Sequence, residues 1–168
     1  KNFIKKVSLI IDLDVFFPIE ISVKNNYEDI VNFRALHHLL YEAKDFCKKT
    51  LAEKKIVHML ITNYLVDNKS YSFLPNNIRC NSFSLDIKFI CASNNLIKNL
   101  EKILKKYQIS LSQVVSASYV KNFLSNEEKN IFLMSKKIIN GHNPNEVILV
   151  GKNSKKQGFF EKFFNFFN

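Results

Sequence analysis

Two pairs of polar residues are the first places in this sequence where chemistry could occur. Asp12 and Asp14 would point to the same side of a strand, and paired carboxylates can serve acid/base or metal chemistry. No further clustered carboxylate or histidine accompanies them, so we interpret them as solvated or turn-facing aspartates. His37 and His38 are adjacent on a predicted helix, where neighbouring side chains point about 100° apart and cannot easily share one metal ion.

The serines, cysteines and glycines of the sequence fit no catalytic or nucleotide-binding pattern. No serine lies in a Gly-x-Ser-x-Gly setting, and the three glycines form no phosphate-binding loop. Cys47, Cys80 and Cys91 are scattered without a Cys-x-x-Cys pair, which argues against zinc and against a disulfide framework. The sequence therefore predicts a non-enzymatic protein without a metal or cofactor, in a reducing cytosolic compartment.

The C-terminal segment has the clearest pattern in the chain. As a helix turning about 100° per residue, it would place all six of its phenylalanines within an arc of about 160°. Lysines stand beside this aromatic face, which is typical of an interfacial helix that buries rings among lipid chains while cations meet anionic headgroups. The predicted membrane-binding residues are Phe159, Phe160, Phe163, Phe164, Phe166, Phe167, Lys155, Lys156 and Lys162.

Such a helix alone gives only a modest, reversible lipid contact. Full burial of a phenylalanine contributes about 1.5–3 kcal/mol and each near-surface lysine about 1 kcal/mol, but ordering the peptide costs about 1–2 kcal/mol per residue. A firm hold requires several linked anchors, so the pattern predicts self-association. The alternative is a terminal helix packed on its own domain, which the polar linker Lys152-Asn153-Ser154 disfavours.

The composition allows one core and favours anionic partners. The chain has 168 residues, 46% of them apolar, and a formal net charge of +10. Anionic lipid, nucleic acid or an acidic protein would each suit this charge. No stretch of about 18 consecutive apolar residues is present, so no segment is predicted to span a bilayer.

Nucleic-acid binding is the alternative function, and the sequence supports it less than it supports membrane binding. A predicted second helix carries Lys98, Lys102, Lys105 and Lys106, and Tyr71, Phe73 or Phe89 could stack bases on a sheet. Alternation along residues 83–89 assigns those aromatics to a core, however, and lysine runs on helices are usually solvated faces. A metal-free enzyme of unknown type is the third possibility.

Hydrophobic periodicity predicts an α+β domain. Period-two patterns predict strands at 55–66, 71–74, 82–91, 110–117 and 146–150, and residues 7–23 as two short strands or one edge strand broken at Pro18. Period-3.6 patterns predict helices at 27–49 and 93–107, and helical parts within 120–139. The second helix should bury a stripe formed by Leu96, Leu100, Ile103 and Tyr107, widened by Ile97 and Leu104.

A series of short motifs runs in order from residue 27 to residue 129. They are Tyr27-Glu28-Asp29-Ile30, Val57-His58, Tyr64-Leu65-Val66-Asp67, Pro75, Arg79, Leu85, the strand to Ile90, Asn99, Ile109 to Ala117-Ser118, and Leu124-Ser125-Asn126-Glu127-Glu128-Lys129. Their order and spacing resemble the 1C subdomain of FtsA, the actin-like bacterial cell-division protein. The tail from Gly158 is similar in kind and position to the C-terminal amphipathic helix with which FtsA proteins hold the inner membrane face.

The departures from the family also carry information. Ile61 stands where the family has proline, and Asn81 stands near an expected glycine. Beyond Lys129 the family continues with a glycine-rich phosphate-binding loop, whereas residues 131–137 of this chain contain no glycine. ATP binding is therefore not carried over, and the chain resembles a truncated or degenerate FtsA.

The resemblance implies a small antiparallel sheet packed against two main helices, of the SHS2-like type, followed by an amphipathic helix. Three parts are expected: an α+β domain at 1–140, a strand and polar linker at 141–157, and a membrane-binding tail at 158–168. In the family this subdomain contacts other protomers and other division proteins. The implied function is a non-enzymatic division module on the cytoplasmic face of the membrane, with anionic lipid and division proteins, or further copies of itself, as partners.

Overall fold

Six strands and four helices form the part of the chain that the computed structural model describes: residues 3–75, 77–124 and 126–147, without the side chain of Tyr27. The strands are β1 (Lys6–Ile11), β2 (Phe16–Ile30), β3 (Lys54–Val66), β4 (Lys69–Tyr71), β5 (Arg79–Ser93) and β6 (Ser110–Ser116). The helices are α1 (Phe33–Thr50), α2 (Asn94–Lys106), α3 (Ala117–Leu124) and α4 (Ile131–Ile139). The predicted α+β class is confirmed.

The strands form two sheets of different kinds. Four strands make an antiparallel sheet in the order β2-β5-β3-β4, and β1 pairs in parallel with β6. Residues 7–23 do contain two strands, but the break predicted at Pro18 is wrong: the gap lies between Ile11 and Phe16, and β2 continues through Pro18. Pro18 lies on β2, an edge strand of the antiparallel sheet, where its missing N–H disrupts no interior ladder.

One face of the antiparallel sheet carries the main core. The predicted alternation along β5 is confirmed, since Phe83, Leu85, Ile87 and Phe89 are fully buried. Helix α1 covers this face, and its apolar residues at three- and four-residue spacing join the same cluster. They are Leu36, Leu39, Leu40, Ala43 and Cys47.

The opposite face of the sheet carries a second core beneath α3 and α4. Leu60 of β3 and Ile90 of β5 point to this side and pack with buried residues of both helices, such as Val120 and Met134. Successive side chains of a strand point to opposite faces of the sheet, so β3 supplies both cores. Register shifts near His58 and near Asn63 interrupt this alternation locally.

The predicted start of the first helix at Tyr27 is wrong. Residues at that point continue β2, with Asp29 opposite Cys80 and Ile30 opposite Arg79 of β5. The helix begins at Phe33, where Asn32 supplies the N-cap. The acidic residues suit a helix start locally, but pairing with β5 satisfies backbone groups along one side of the extended chain, and this tertiary pairing outweighs the local preference.

Replacing the cap of α1 should destabilise the domain. Asn32 Oδ1 accepts hydrogen bonds from the backbone N–H groups of Arg34 (2.9 Å) and Ala35 (3.1 Å). We expect Asn32→Ala to lower the free energy of unfolding by about 0.5–2 kcal/mol, measured by urea denaturation. Asn32→Asp keeps the acceptor and is the matched control. Equal losses in the two variants would contradict a capping role.

Candidate functional site

The predicted lipid-binding residues lie outside the described part of the chain. They are Phe159, Phe160, Phe163, Phe164, Phe166, Phe167, Lys155, Lys156 and Lys162. Residues 143–147 are the last described residues before this tail, and their contacts define how the domain holds the start of the tail. We call residues 143–147 the tail root.

Backbone hydrogen bonds join the tail root to β3. The N–H of Ile61 donates to the carbonyl of Asn145, and the N–H of Val147 donates to the carbonyl of Met59, each at 2.8 Å. Glu146 thereby forms an antiparallel bridge with Leu60. The strand predicted at 146–150 begins here as one bridge, and its remaining residues lie outside the described part. Val147 is itself buried in the main core.

A histidine and a carboxylate bond at the centre of the tail root. His58 Nδ1 lies 2.7 Å from Glu146 Oε1, and the backbone N–H of Ser116 donates to His58 Nε2 at 3.1 Å. Because Nε2 accepts a hydrogen bond, these partners assign the proton of a neutral imidazole to Nδ1, which donates to the carboxylate. The imidazole thus connects β3, the end of β6 and the tail root.

Two tyrosines and two asparagines extend this arrangement. The hydroxyl of Tyr119 donates to Glu146 Oε2 at 2.8 Å and accepts from Asn143 Nδ2 at 2.9 Å. Asn143 Oδ1 accepts the N–H of Asn145 at 3.0 Å, and the hydroxyl of Tyr64 donates to Asn145 Oδ1 at 3.2 Å. Burial, and then the charge of Glu146, raise the pKa of Tyr119 well above its ordinary value, so its hydroxyl stays a donor.

The polar groups of this network are paired with one another. His58 is only 4% exposed, and both of its ring nitrogens have partners within the protein. Each oxygen of Glu146 also accepts a hydrogen bond. We call the six side chains of His58, Tyr64, Tyr119, Asn143, Asn145 and Glu146 the root network.

The cavity beside the root network is small. It has a volume of about 140 Å³ and is lined by His58, Glu146 and mainly apolar side chains, among them Ile97, Leu111 and Ile138. Sites for small organic ligands usually measure about 300–1,000 Å³. The volume suits a few water molecules better than a substrate.

The polar pairs found in the sequence lie apart from the root network. Asp12 and Asp14 follow the end of β1, and Asp12 pairs with Lys121 at 2.6 Å. His38 faces Glu42 at 3.7 Å on α1, while burial lowers the pKa of the neighbouring His37. Within residues 3–75, 77–124 and 126–147, no three histidine, cysteine or acidic side chains form a group that could hold a metal ion.

The three cysteines are buried thiols, and no disulfide joins them. Burial raises the pKa of Cys47 and Cys80, and it raises that of Cys91 to about 12. An activated nucleophile requires the opposite shift. These side chains therefore act as small apolar core residues.

The predicted buried stripe of α2 is wrong at two of its four positions. Ile103 is 53% exposed and Tyr107 is 72% exposed, whereas Ile97, expected only to widen the stripe, is fully buried. The helix packs mainly against β6, and the two-stranded β1–β6 sheet offers little surface for a wide apolar face. Periodicity locates an apolar face, but it does not show how much of that face a neighbour covers.

The root network was missed by sequence reasoning. Its members are separated by up to 88 residues, and each looks ordinary alone. The available signal was His58, a polar residue within the apolar run from Ile56 to Ile61.

No protein-family model matches the chain, and no curated protein matches it. None of the described helices is long and apolar enough to cross a bilayer.

Removing one hydroxyl should test the root network. Tyr119→Phe leaves the amide of Asn143 and one oxygen of Glu146 without this partner, so we expect the free energy of unfolding to fall by about 1–3 kcal/mol. Chemical denaturation measures this loss. Tyr41→Phe removes an exposed hydroxyl on α1 and should change stability little. A similar effect of both substitutions would argue against the network.

Alkaline pH should destabilise the protein through its buried tyrosines. Burial raises the pKa of Tyr64 to about 12 and also raises that of Tyr119. Above about pH 10 the unfolded phenols lose protons that the folded ones retain, so stability present at lower pH falls by up to about 1.4 kcal/mol per pH unit for each group. Denaturation between pH 9 and pH 11, taken as about one unit either side of the tyrosine pKa, measures this slope. Tyr119→Phe should make it shallower, and an unchanged slope would contradict the assignment.

Proposed function

We propose that this chain is a non-enzymatic, FtsA-like cell-division module that attaches division proteins to the cytoplasmic face of the membrane through its Phe-rich tail. The observation that carries the proposal is the fixed tail root. Two backbone bonds and the root network hold residues 143–147 on β3, and residues 148–158 lead from there to the amphipathic sequence.

A fixed root makes the tail an effective tether. Residues 148–158 separate Val147 from the first phenylalanine of the amphipathic pattern, and eleven residues span at most about 36–40 Å. A tail inserted in a bilayer would therefore keep the domain within about one domain diameter of the surface. Partners of the domain would then meet the membrane at a raised local concentration.

The non-enzymatic part of the proposal is supported by the chemistry of the described interior. Its buried histidine and carboxylate are occupied by each other and by neighbouring donors. Its buried thiols have raised pKa values, which oppose nucleophilic use. These groups all act to stabilise the fold.

The division role is supported by the ordered motifs between residues 27 and 129. The strand of the motif series that reaches Ile90 is part of β5, which ends at Ser93, and β6 ends at Ser116 beside Ala117. Division proteins, or further copies of the chain, would be the partners that this resemblance implies. Linked copies would also strengthen a weak individual tail.

A basic nucleic-acid-binding domain is the alternative, and one observation favours it. Helix α2 presents Lys98, Lys102, Lys105 and Lys106 to solvent, and no ion pair joins them to another residue of the described ranges. A DNA or RNA complex that weakens with salt and survives deletion of residues 159–168 would support this alternative.

Vesicle binding should depend on the tail. In co-sedimentation with vesicles of phosphatidylcholine and phosphatidylglycerol, we expect Phe163→Ser combined with Phe164→Ser to lower partitioning at least about tenfold, because two rings no longer enter the lipid. Deletion of residues 159–168 should have at least this effect. The matched control is Phe73→Ser, which removes an exposed ring far from the tail in sequence.

Two outcomes would overturn the tail as the anchor. One is intact protein that ignores the anionic vesicles. The other is equal binding by the intact and the tail-substituted chains. Retained circular dichroism and unfolding midpoint would show that the substituted chains remain folded.

A further inference from the structure

Helix α2 leaves part of its apolar face uncovered. Ile103 and Tyr107 are mostly exposed, and Leu96 and Leu100 are half-buried. On a helical projection these four residues span only about 60°, so they form one continuous strip. Ile97 and Leu104 lie at the side of this strip that faces the domain. We call Leu96, Leu100, Ile103 and Tyr107 the α2 strip.

Lysines border the α2 strip on its solvent side. Lys106, Lys102 and Lys98 follow at about 60°, 100° and 140° from Ile103 in the direction away from the domain. The nearest acidic residue of the helix, Glu101, lies on the other side and pairs with Lys55 at 3.1 Å. An uncovered apolar strip therefore passes directly into a basic face.

The first described residues of the chain add exposed apolar side chains near the end of α2. Phe3 is 79% exposed and Ile4 is 69% exposed. The backbone N–H and the hydroxyl of Ser110, three residues after Tyr107, both donate to the carbonyl of Lys5 at 2.9 Å. These bonds hold Phe3 and Ile4 close to the end of α2, where Lys5 and Lys6 are also exposed.

We propose that the α2 strip, together with Phe3 and Ile4, is a second docking surface for an anionic lipid membrane, independent of the tail. Exposed apolar side chains with a cationic rim match an interface in which hydrocarbon lies beneath negative headgroups. A tyrosine at the end of the strip suits the headgroup level, because its ring is apolar and its hydroxyl is polar.

The side chains favour lipid over nucleic acid at this surface. Single-stranded nucleic acid is held by aromatic rings on which bases stack, along a basic groove. Three of the four strip residues are aliphatic, as is Ile4, and these offer no ring for stacking. Insertion among lipid chains uses aliphatic and aromatic side chains alike.

A second surface would change how the domain sits at the membrane. A tail alone allows the domain to rotate about its linker, whereas contact through α2 fixes one face toward the bilayer. Two weak contacts on one chain also bind much more tightly than either alone. The inference goes beyond the proposed function, because the surface belongs to the folded domain.

A tryptophan reporter can test which residue enters the lipid. The sequence contains no tryptophan, so a single introduced indole gives the only indole fluorescence. We expect Tyr107→Trp to shift its emission to shorter wavelength with phosphatidylcholine–phosphatidylglycerol vesicles, and not with phosphatidylcholine alone. Tyr41→Trp, at an exposed position on α1, is the matched control and should not shift.

The binding measurement uses the full chain with its tail silenced by Phe163→Ser and Phe164→Ser. This chain should still bind the anionic vesicles, and adding Ile103→Ser with Tyr107→Ser should lower its partitioning at least about tenfold. Lys102→Gln or Lys106→Gln should each lower it about fivefold, the equivalent of about 1 kcal/mol per lysine. Tyr41→Ser with Phe46→Ser removes two exposed rings on α1 and should leave partitioning unchanged.

The outcomes separate this inference from the proposed function. If only the intact tail confers binding, or if the reporters at 107 and 41 behave alike, the second surface is overturned and the tail anchor stands. If neither the intact nor the tail-silenced chain binds, both proposals fail. A third outcome has two parts: the tail-silenced chain does not bind vesicles, and it binds a labelled RNA oligonucleotide with an affinity that the lysine substitutions lower. The surface then recognises nucleic acid, and the lipid inference is overturned.

Discussion

The hydrogen bond between His58 and Glu146 is the interaction on which the organisation of this domain depends. It joins the central strand β3 to the tail root, and the same imidazole accepts the backbone N–H of Ser116 at the end of β6. A buried carboxylate is costly unless its oxygens are bonded, and here the imidazole and Tyr119 each supply one donor. The interior thus accommodates a charge because three separate parts of the chain converge on it.

The position of β3 explains why one strand can support so much of the structure. Successive side chains alternate between its two faces, so Met59 and Ile61 enter the core beneath α1 while Leu60 enters the core beneath α3 and α4. One end of β3 extends into the hairpin with β4, and its middle receives the tail root. The two cores and the attachment of the tail root therefore all depend on a single strand.

Local patterns in the sequence predicted those features that neighbours along the chain determine. The alternation of Phe83 and Leu85 with polar residues marked β5 correctly, because the strand is buried on one face over most of its length. Features that depend on distant partners were not predictable. The pairing of Ile30 with Arg79 extends β2 where local signals favour a helix, and the exposure of Tyr107 depends on how little surface the β1–β6 sheet offers. The root network joins residues up to 88 positions apart, so no local pattern indicates it.

The backbone bonds of the tail root also determine how the domain would bear mechanical load. A tail held in a bilayer pulls on Val147, whose N–H bond to Met59 is the outermost of the two backbone bonds and would carry tension first. The carboxylate of Glu146 lies immediately behind it, so the pull passes into buried side chains of β3 and α3 before it can unzip the bridge. Because Val147 is buried in the main core, force applied at the membrane would also reach the side chains packed beneath α1.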